Sequence, residues 1–170
     1  MKKAEVDKLL CRVADGDNNA FEQLYIKTGR GVFAFVLSYL HSRQDAEDVV
    51  QNVYLKIKTS VCGYRRGTNA TAWILQIAKN SAIDFLRQRK QQVYLDEIEN
   101  VGKEDEISGG EVMTAIETTL NEEEQRIVIL HVLWGYKHHE IGKILSLPTG
   151  TVTSKYKRSI EKLQKVLKEV

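Results

Sequence analysis

Two short stretches of the 170-residue chain carry side chains suited to handling a polyanion. Cys62-Gly63-Tyr64-Arg65-Arg66-Gly67-Thr68-Asn69 is a basic loop with glycines near both ends and one aromatic ring inside. Tyr64 is expected there as a stacking platform, worth about 1–3 kcal/mol per single-stranded base, with Arg65 and Arg66 for phosphates. Near the C-terminus, Thr151, Thr153, Ser154, Lys155, Lys157 and Arg158 fall on one segment, Thr149 to Leu167, whose apolar residues recur with helical spacing. Such a helix can place hydroxyls and cations against base edges and phosphates. Catalytic patterns do not develop. After His138-His139-Glu140 the position a zincin needs for its second histidine is Lys143. No Gly-x-x-x-x-Gly-Lys segment is present, and Cys11 and Cys62 lie in no CxxC or Cys/His cluster. Neither catalysis, a metal, a cofactor nor a small-molecule substrate is expected. The two histidines are read as solvated first-turn residues, or as phosphate neighbours when charged, and Cys11 as a core thiol.

The elements that must position these residues are helices. One proline in 170 residues and apolar spacings of three and four predict an all-α protein. Val6, Leu9, Leu10 and Val13 make a first stripe ending at Asp15-Gly16-Asp17. Asn18 or Asn19 is expected to cap a second helix, which Gly29-Arg30-Gly31 should break before a third from Val32 to Leu40. Ser42, three residues before Asp45, starts a helix with Ala46, Val49, Val50, Val53, Tyr54 and Ile57 inward. After the basic loop a long helix buries Trp73, Ile74, Ile77, Ala78 and Phe85 and ends in Arg87-Gln88-Arg89-Lys90. A short helix near Val112–Leu120 follows, then one capped by Asn121 and Glu124 that stops at Gly135. Finally His139 to Leu145, the turn Ser146-Leu147-Pro148 and the helix from Thr149 form a helix-turn-helix locked by Ile141, Leu145, Leu147 and Val152. From pattern alone, a helical hairpin with a solvated basic face remains the alternative.

Charge is distributed in blocks. The formal net charge is +2, but residues 1–90 carry 15 basic and 9 acidic side chains, residues 91–125 carry 1 and 11, and residues 126–170 carry 9 and 3. Because charge acts within a Debye length of about 8 Å at physiological salt, +6, −10 and +6 read as two polyanion-seeking modules with an acidic spacer. The expected layout is two small helical domains, 1–90 and 111–170, joined by a flexible acidic linker over 91–110. At 42% hydrophobic residues the chain is too apolar for wholesale disorder. No apolar run approaches the ~20 residues of a membrane span, and Glu5, Asp7 and Lys8 interrupt any signal-peptide pattern, so a cytoplasmic protein without direct membrane insertion is expected.

These residues resemble the extracytoplasmic-function (ECF) sigma factors, which direct bacterial RNA polymerase to promoters. Ala20-Phe21-Glu22-Gln23-Leu24-Tyr25 is similar to the family's opening helix, and Asp45-Ala46-Glu47-Asp48-Val49-Val50-Gln51-Asn52-Val53-Tyr54-Leu55-Lys56 resembles its polymerase-docking helix. Ala72 to Asn80 followed by Asp84-Phe85-Leu86-Arg87 resembles the stretch that engages the −10 element, and Leu147 to Ser154 the start of the −35 recognition helix. The motifs occur in family order over nearly the whole chain.

The resemblance implies three interfaces. Asp45, Glu47, Asp48, Gln51 and Asn52 would dock on polymerase core, at the clamp of the largest subunit; acidic groups inside a basic block suit a protein better than DNA. Tyr64, Arg65, Arg66, Asn69, Trp73, Lys79, Asn80, Arg87, Arg89 and Lys90 would bind and help open −10 promoter DNA, although Trp73 at this spacing also fits a core residue. Thr151, Thr153, Ser154, Lys155, Lys157 and Arg158 would read −35 DNA. An anti-sigma factor is an expected partner. Asn52 replaces the family's usual glutamate, Lys137 a capping serine, Gly142 an alanine, Ser146 a turn glycine and Thr153 a frequent arginine or lysine. A stand-alone helix-turn-helix transcriptional regulator is the competing reading; it would explain residues 121–170 but leaves the acidic docking helix and the aromatic-basic loop without a role.

Overall fold

Val6, Leu9, Leu10 and Val13, spaced by three and four, are all buried on helix α1 (Lys3–Ala14). In the computed structural model, which describes residues 3–95 and 111–167, the chain divides into two compact units, Met1–Asp105 and Glu106–Val170. The described residues are helical with no strand, as the apolar spacing predicts.

Helix α2 (Asn18–Leu40) corrects two expectations. Its cap is Asp17, whose Oδ1 accepts from the Ala20 N–H at 3.0 Å, rather than Asn18 or Asn19. It also runs unbroken through Gly29-Arg30-Gly31. Two glycines cost on the order of 2 kcal/mol of helix propensity, but the apolar residues on both sides of them face the same core, so packing holds the helix together. Ser42 caps helix α3 (Arg43–Ser60) as expected, accepting from the Asp45 N–H. The buried residues of α3 are Ala46, Val49, Val50, Val53, Tyr54 and Ile57, the predicted stripe. The hydroxyls of Thr28 and Tyr54 share a 2.6 Å hydrogen bond that ties α2 to α3, and burial pushes the Tyr54 phenol up.

Helix α4 (Ala70–Leu95) packs on α1, α2 and α3 and runs five residues beyond the expected end at Lys90. Of its predicted inward residues Ile74 and Ala78 are fully buried, while Trp73, Ile77 and Phe85 are half-buried. The rest of the expected linker, 96–110, lies outside the described residues.

In the second unit α5 (Glu111–Thr119), α6 (Glu122–Val132), α7 (His138–Leu145) and α8 (Thr149–Val166) enclose a core that includes Ile116, Leu120, Val128 and Leu163. Asn121 and Glu124 form the predicted reciprocal cap of α6, at 3.0 and 3.2 Å. Lys137 has no side-chain acceptor for α7, but the Glu140 carboxylate accepts the Lys137 N–H at 2.8 Å, so half of a capping box survives. Ser146 takes the left-handed conformation at φ 59° that glycine would adopt most cheaply. Gly142 is required by close packing: a Cβ there would stand 2.6 Å from the Leu147 carbonyl oxygen.

Candidate nucleic-acid interface

The basic loop is tied to α1. Tyr64 is only 7% exposed, its hydroxyl donates to Asp7 Oδ1 at 2.5 Å, and its ring lies 5.4 Å from that of Trp73. The expected open aromatic platform is therefore corrected: a phenol that can reach a carboxylate on a neighbouring helix gains more by burial than by exposure. Burial, then the bond to Asp7, push the Tyr64 phenol up. The Gly67 N–H also reaches Asp7 Oδ1, at 3.3 Å, and Arg66 pairs with Asp15 at 2.5 Å, which raises the guanidinium's pKa. Arg65 is exposed.

Asn69 is the cap of α4: its Oδ1 accepts from the Ala72 N–H at 3.1 Å and the Thr71 hydroxyl at 2.8 Å. Beyond it, Trp73, Gln76, Asn80 and Arg87 recur at spacings of three, four and seven and share one helical face. Gln76, unsuspected from sequence, donates to Asn80 Oδ1 at 2.8 Å. Lys79 is half-buried, and Arg87 and Lys90 are exposed. Arg89 leaves this group, pairing with Asp45 of α3 at 2.7 Å.

On α3 the predicted acidic surface splits in two. Asp45 and Glu47 are engaged within the fold, by Arg89 and by Arg43 at 3.0 Å. Asp48, Gln51 and Asn52 are exposed on one face together with Leu55, which is 61% exposed. Leu55 was missed, though its place off the apolar stripe was legible. Beside this face a groove of about 470 Å³ runs between α2 and α3, lined by Tyr25, Ile26, Phe33, Arg43 and Gln51 among others.

In the second unit Thr153, Ser154, Lys157 and Arg158 are exposed at the start of α8, and Thr151 is half-buried. Lys155 departs from the expected groove-facing set: it is half-buried and its ammonium pairs with Glu123 of α6 at 2.8 Å. Lys162 likewise holds both oxygens of Glu124 at 2.9 Å. Burial raises the Glu124 pKa, but Lys162 and the Asn121 N–H outweigh it and hold the carboxyl below its usual range. His138 is not the solvated first-turn residue expected. It is half-buried, its ring lies 4.9 Å from His131 and 5.1 Å from Tyr156, and its Nδ1 is 3.0 Å from Thr153 Oγ1. His139 is exposed, Cys11 is half-buried rather than core, and Cys62 is exposed. Among the described residues no group of three His, Cys, Asp or Glu side chains is placed to hold a metal, and no helix is long and apolar enough to cross a membrane.

Residues 24–92 match the sigma-70 region 2 family and residues 118–165 match sigma-70 region 4. Curated relatives include the ECF RNA polymerase sigma factor SigW of Bacillus subtilis, 24% identical across 97% of this chain and 98% of the relative. The ECF RNA polymerase sigma-E factor of Escherichia coli is 28% identical across 95% and 94%. Among solved structures, the sigma factor RpoE in complex with the anti-sigma factor NepR from Bartonella quintana has a TM-score of 0.64 at 24% identity, covering 87% of this chain and 96% of that one. CnrH in complex with the cytosolic domain of CnrY has a TM-score of 0.63 at 20% identity, covering 97% and 98%.

Proposed function

The chain belongs to the sigma-70 family as an ECF sigma factor, which binds RNA polymerase and directs promoter-specific initiation, and from that premise we propose how its surfaces divide the work. Regions 2 and 4 on one chain, in family order, carry this reading; a stand-alone helix-turn-helix regulator would leave the region 2 match over residues 24–92 unexplained. Sigma factors are initiation factors, and the chemistry of RNA synthesis is left to the polymerase.

Domain 1–90, extended by α4 to Leu95, docks on the clamp of the largest subunit of core through Asp48, Gln51, Asn52 and Leu55 of α3. Asp45 and Glu47 contribute mainly by organising that surface, since both already have cationic partners. Helix α4 and the loop before it engage −10 DNA. Arg65, Arg87 and Lys90 meet phosphates, while Trp73, Asn69, Lys79 and Asn80 meet bases or backbone; Arg66, already paired with Asp15, shapes the loop. Tyr64 holds the loop in place rather than stacking on a base. Unstacking costs about 1.4 kcal/mol per step, so these contacts must offset several kcal/mol as the strands part. Domain 111–170 places the start of α8 in the −35 major groove, with Thr151, Thr153 and Ser154 near base edges and Lys157 and Arg158 on phosphates. The acidic stretch 91–110 tethers the two without competing for DNA.

An anti-sigma factor is the proposed regulator, because both neighbouring structures are complexes: RpoE with its anti-sigma factor NepR, and CnrH with CnrY. A cytoplasmic location follows from the polymerase as partner. The decisive experiment is run-off transcription with purified core polymerase over a promoter library; absence of transcripts dependent on this chain from every template would overturn the proposal.

A further inference from the structure

Thr153, exposed near the start of α8, has a hydroxyl with two partners inside the protein. It donates to the Thr149 carbonyl at 3.0 Å, and His138 Nδ1 lies 3.0 Å from the same oxygen. The other ring nitrogen of His138, Nε2, is buried with no hydrogen-bond partner. Two proton arrangements are conceivable. If Thr153 donated to His138, it would release the Thr149 carbonyl, and the imidazole proton would sit on Nε2 as a buried N–H with nothing to receive it. If Nδ1–H donates to Thr153, the threonine proton stays on Thr149 and only a lone pair is left unpaired at Nε2. Orphaned buried N–H groups are the rarer and costlier kind, so the second arrangement prevails.

The consequence concerns readout. A free threonine hydroxyl donates or accepts as its partner requires. The oxygen of Thr153 has its proton engaged by Thr149 and one lone pair engaged by His138, which leaves one lone pair. Toward a ligand it only accepts. In a major groove the donors among base edges are the amino groups of adenine N6 and cytosine N4, whereas guanine O6 and N7 and thymine O4 are acceptors. We propose that His138 is a specificity-determining positioning residue: it holds Thr153 as an acceptor, so that the base facing Thr153 is selected for an exocyclic amino group. This rests on the reading that α8 enters the −35 major groove.

The test is run-off transcription by the holoenzyme, full chain with core polymerase, over templates randomised through the upstream element, scored position by position. Wild type should favour adenine or cytosine at one position by about threefold to tenfold, the worth of one hydrogen bond. Thr153→Val and His138→Leu should each flatten that position and leave the others. His138→Asn, which returns an N–H near the site of Nδ1, should restore the preference. Persistence of the preference in His138→Leu, or an equal loss at every position, would overturn the role of His138. Should Thr153→Val leave the profile unchanged, the proposal fails even if His138→Leu folds poorly. A separate arm addresses the underlying reading: if Lys157→Ala with Arg158→Ala leaves upstream binding unaltered, α8 is not in the groove and both readings fall together.

Discussion

The hydroxyl of Tyr64 and the carboxylate of Asp7 are hydrogen-bonded across 57 residues of chain, and this bond closes the basic loop that precedes α4 onto helix α1. The same Asp7 oxygen takes the Gly67 N–H, and Asp15 at the end of α1 takes Arg66. Helix α1 thus sets the conformation of a loop proposed to meet −10 DNA, without itself belonging to that surface.

Tyr64→Phe keeps the ring and removes the bond. It should destabilise the first unit by about 1–2 kcal/mol and accelerate amide exchange over residues 64–69. Promoter opening by the holoenzyme should fall more than initial binding. Unchanged exchange in that loop would show that the bond does not restrain it.

The proposed docking face of α3 should be separable from folding. Asp48→Arg and Leu55→Asp should each weaken binding to core polymerase about tenfold or more, equivalent to roughly 1.4 kcal/mol, while thermal stability stays within about 0.5 kcal/mol. Glu47→Gln should change affinity little, because Arg43 already engages that carboxylate. Fluorescence titration of labelled protein with core measures all three, and equal effects would contradict the division.

At Gly142 two effects oppose each other. Alanine improves helix propensity by about 1 kcal/mol, but its Cβ would meet the Leu147 carbonyl at 2.6 Å, a backbone atom that moves only with the turn. Overpacking of this kind costs typically 1–3 kcal/mol. Gly142→Ala should therefore lower the unfolding midpoint of the second unit and weaken −35 binding, both readable by calorimetry and footprinting. A raised midpoint would mean that the turn relaxes freely.

Acid should loosen the second unit in two steps. Burial, with the neighbouring His131 charge, pushes the His138 pKa below 6.5. Between that folded value and 6.5 the unfolded chain binds the proton that the folded one refuses, so stability falls as pH drops through this window. Glu124 has a folded pKa below its ordinary 4.5. Its contribution is present above 4.5 and is lost as pH falls toward and through the folded value. His138→Asn should remove the upper step and leave the lower one in melts followed from pH 7.5 to 3.5.

Salt dependence should sort the cations of α8. Removing a phosphate contact lowers the slope of log K against log salt by about 0.9. Lys157→Ala and Arg158→Ala should each approach that change in binding of an upstream DNA fragment by the holoenzyme. Lys155→Ala should change the slope less, because its ammonium is already paired with Glu123.

Much of the architecture was legible because helices are written in local periodicity. The stripe Ala46, Val49, Val50, Val53, Tyr54 and Ile57, the caps at Ser42 and Asn121 and the turn at Ser146 depend on residues within a few positions of one another. Local preference predicts a break at Gly29-Arg30-Gly31, but packing on α1 and α3 carries the helix through it, and among the neighbouring cap candidates the Ala20 N–H selects Asp17.

By itself, then, the sequence determined the all-α class, most helix boundaries apart from the break expected at Gly29-Arg30-Gly31, the order of motifs and the block pattern of charge, all of which are local or additive properties. Only the tertiary structure decided which polar side chains remain available for partners. Asp7 reaching Tyr64, Arg89 reaching Asp45, Glu123 reaching Lys155 and His138 reaching Thr153 each join residues 15 to 57 positions apart or on different helices. The physical reason is that a charge or hydroxyl bonds to whatever the fold brings within about 3 Å, and no local pattern encodes that distance.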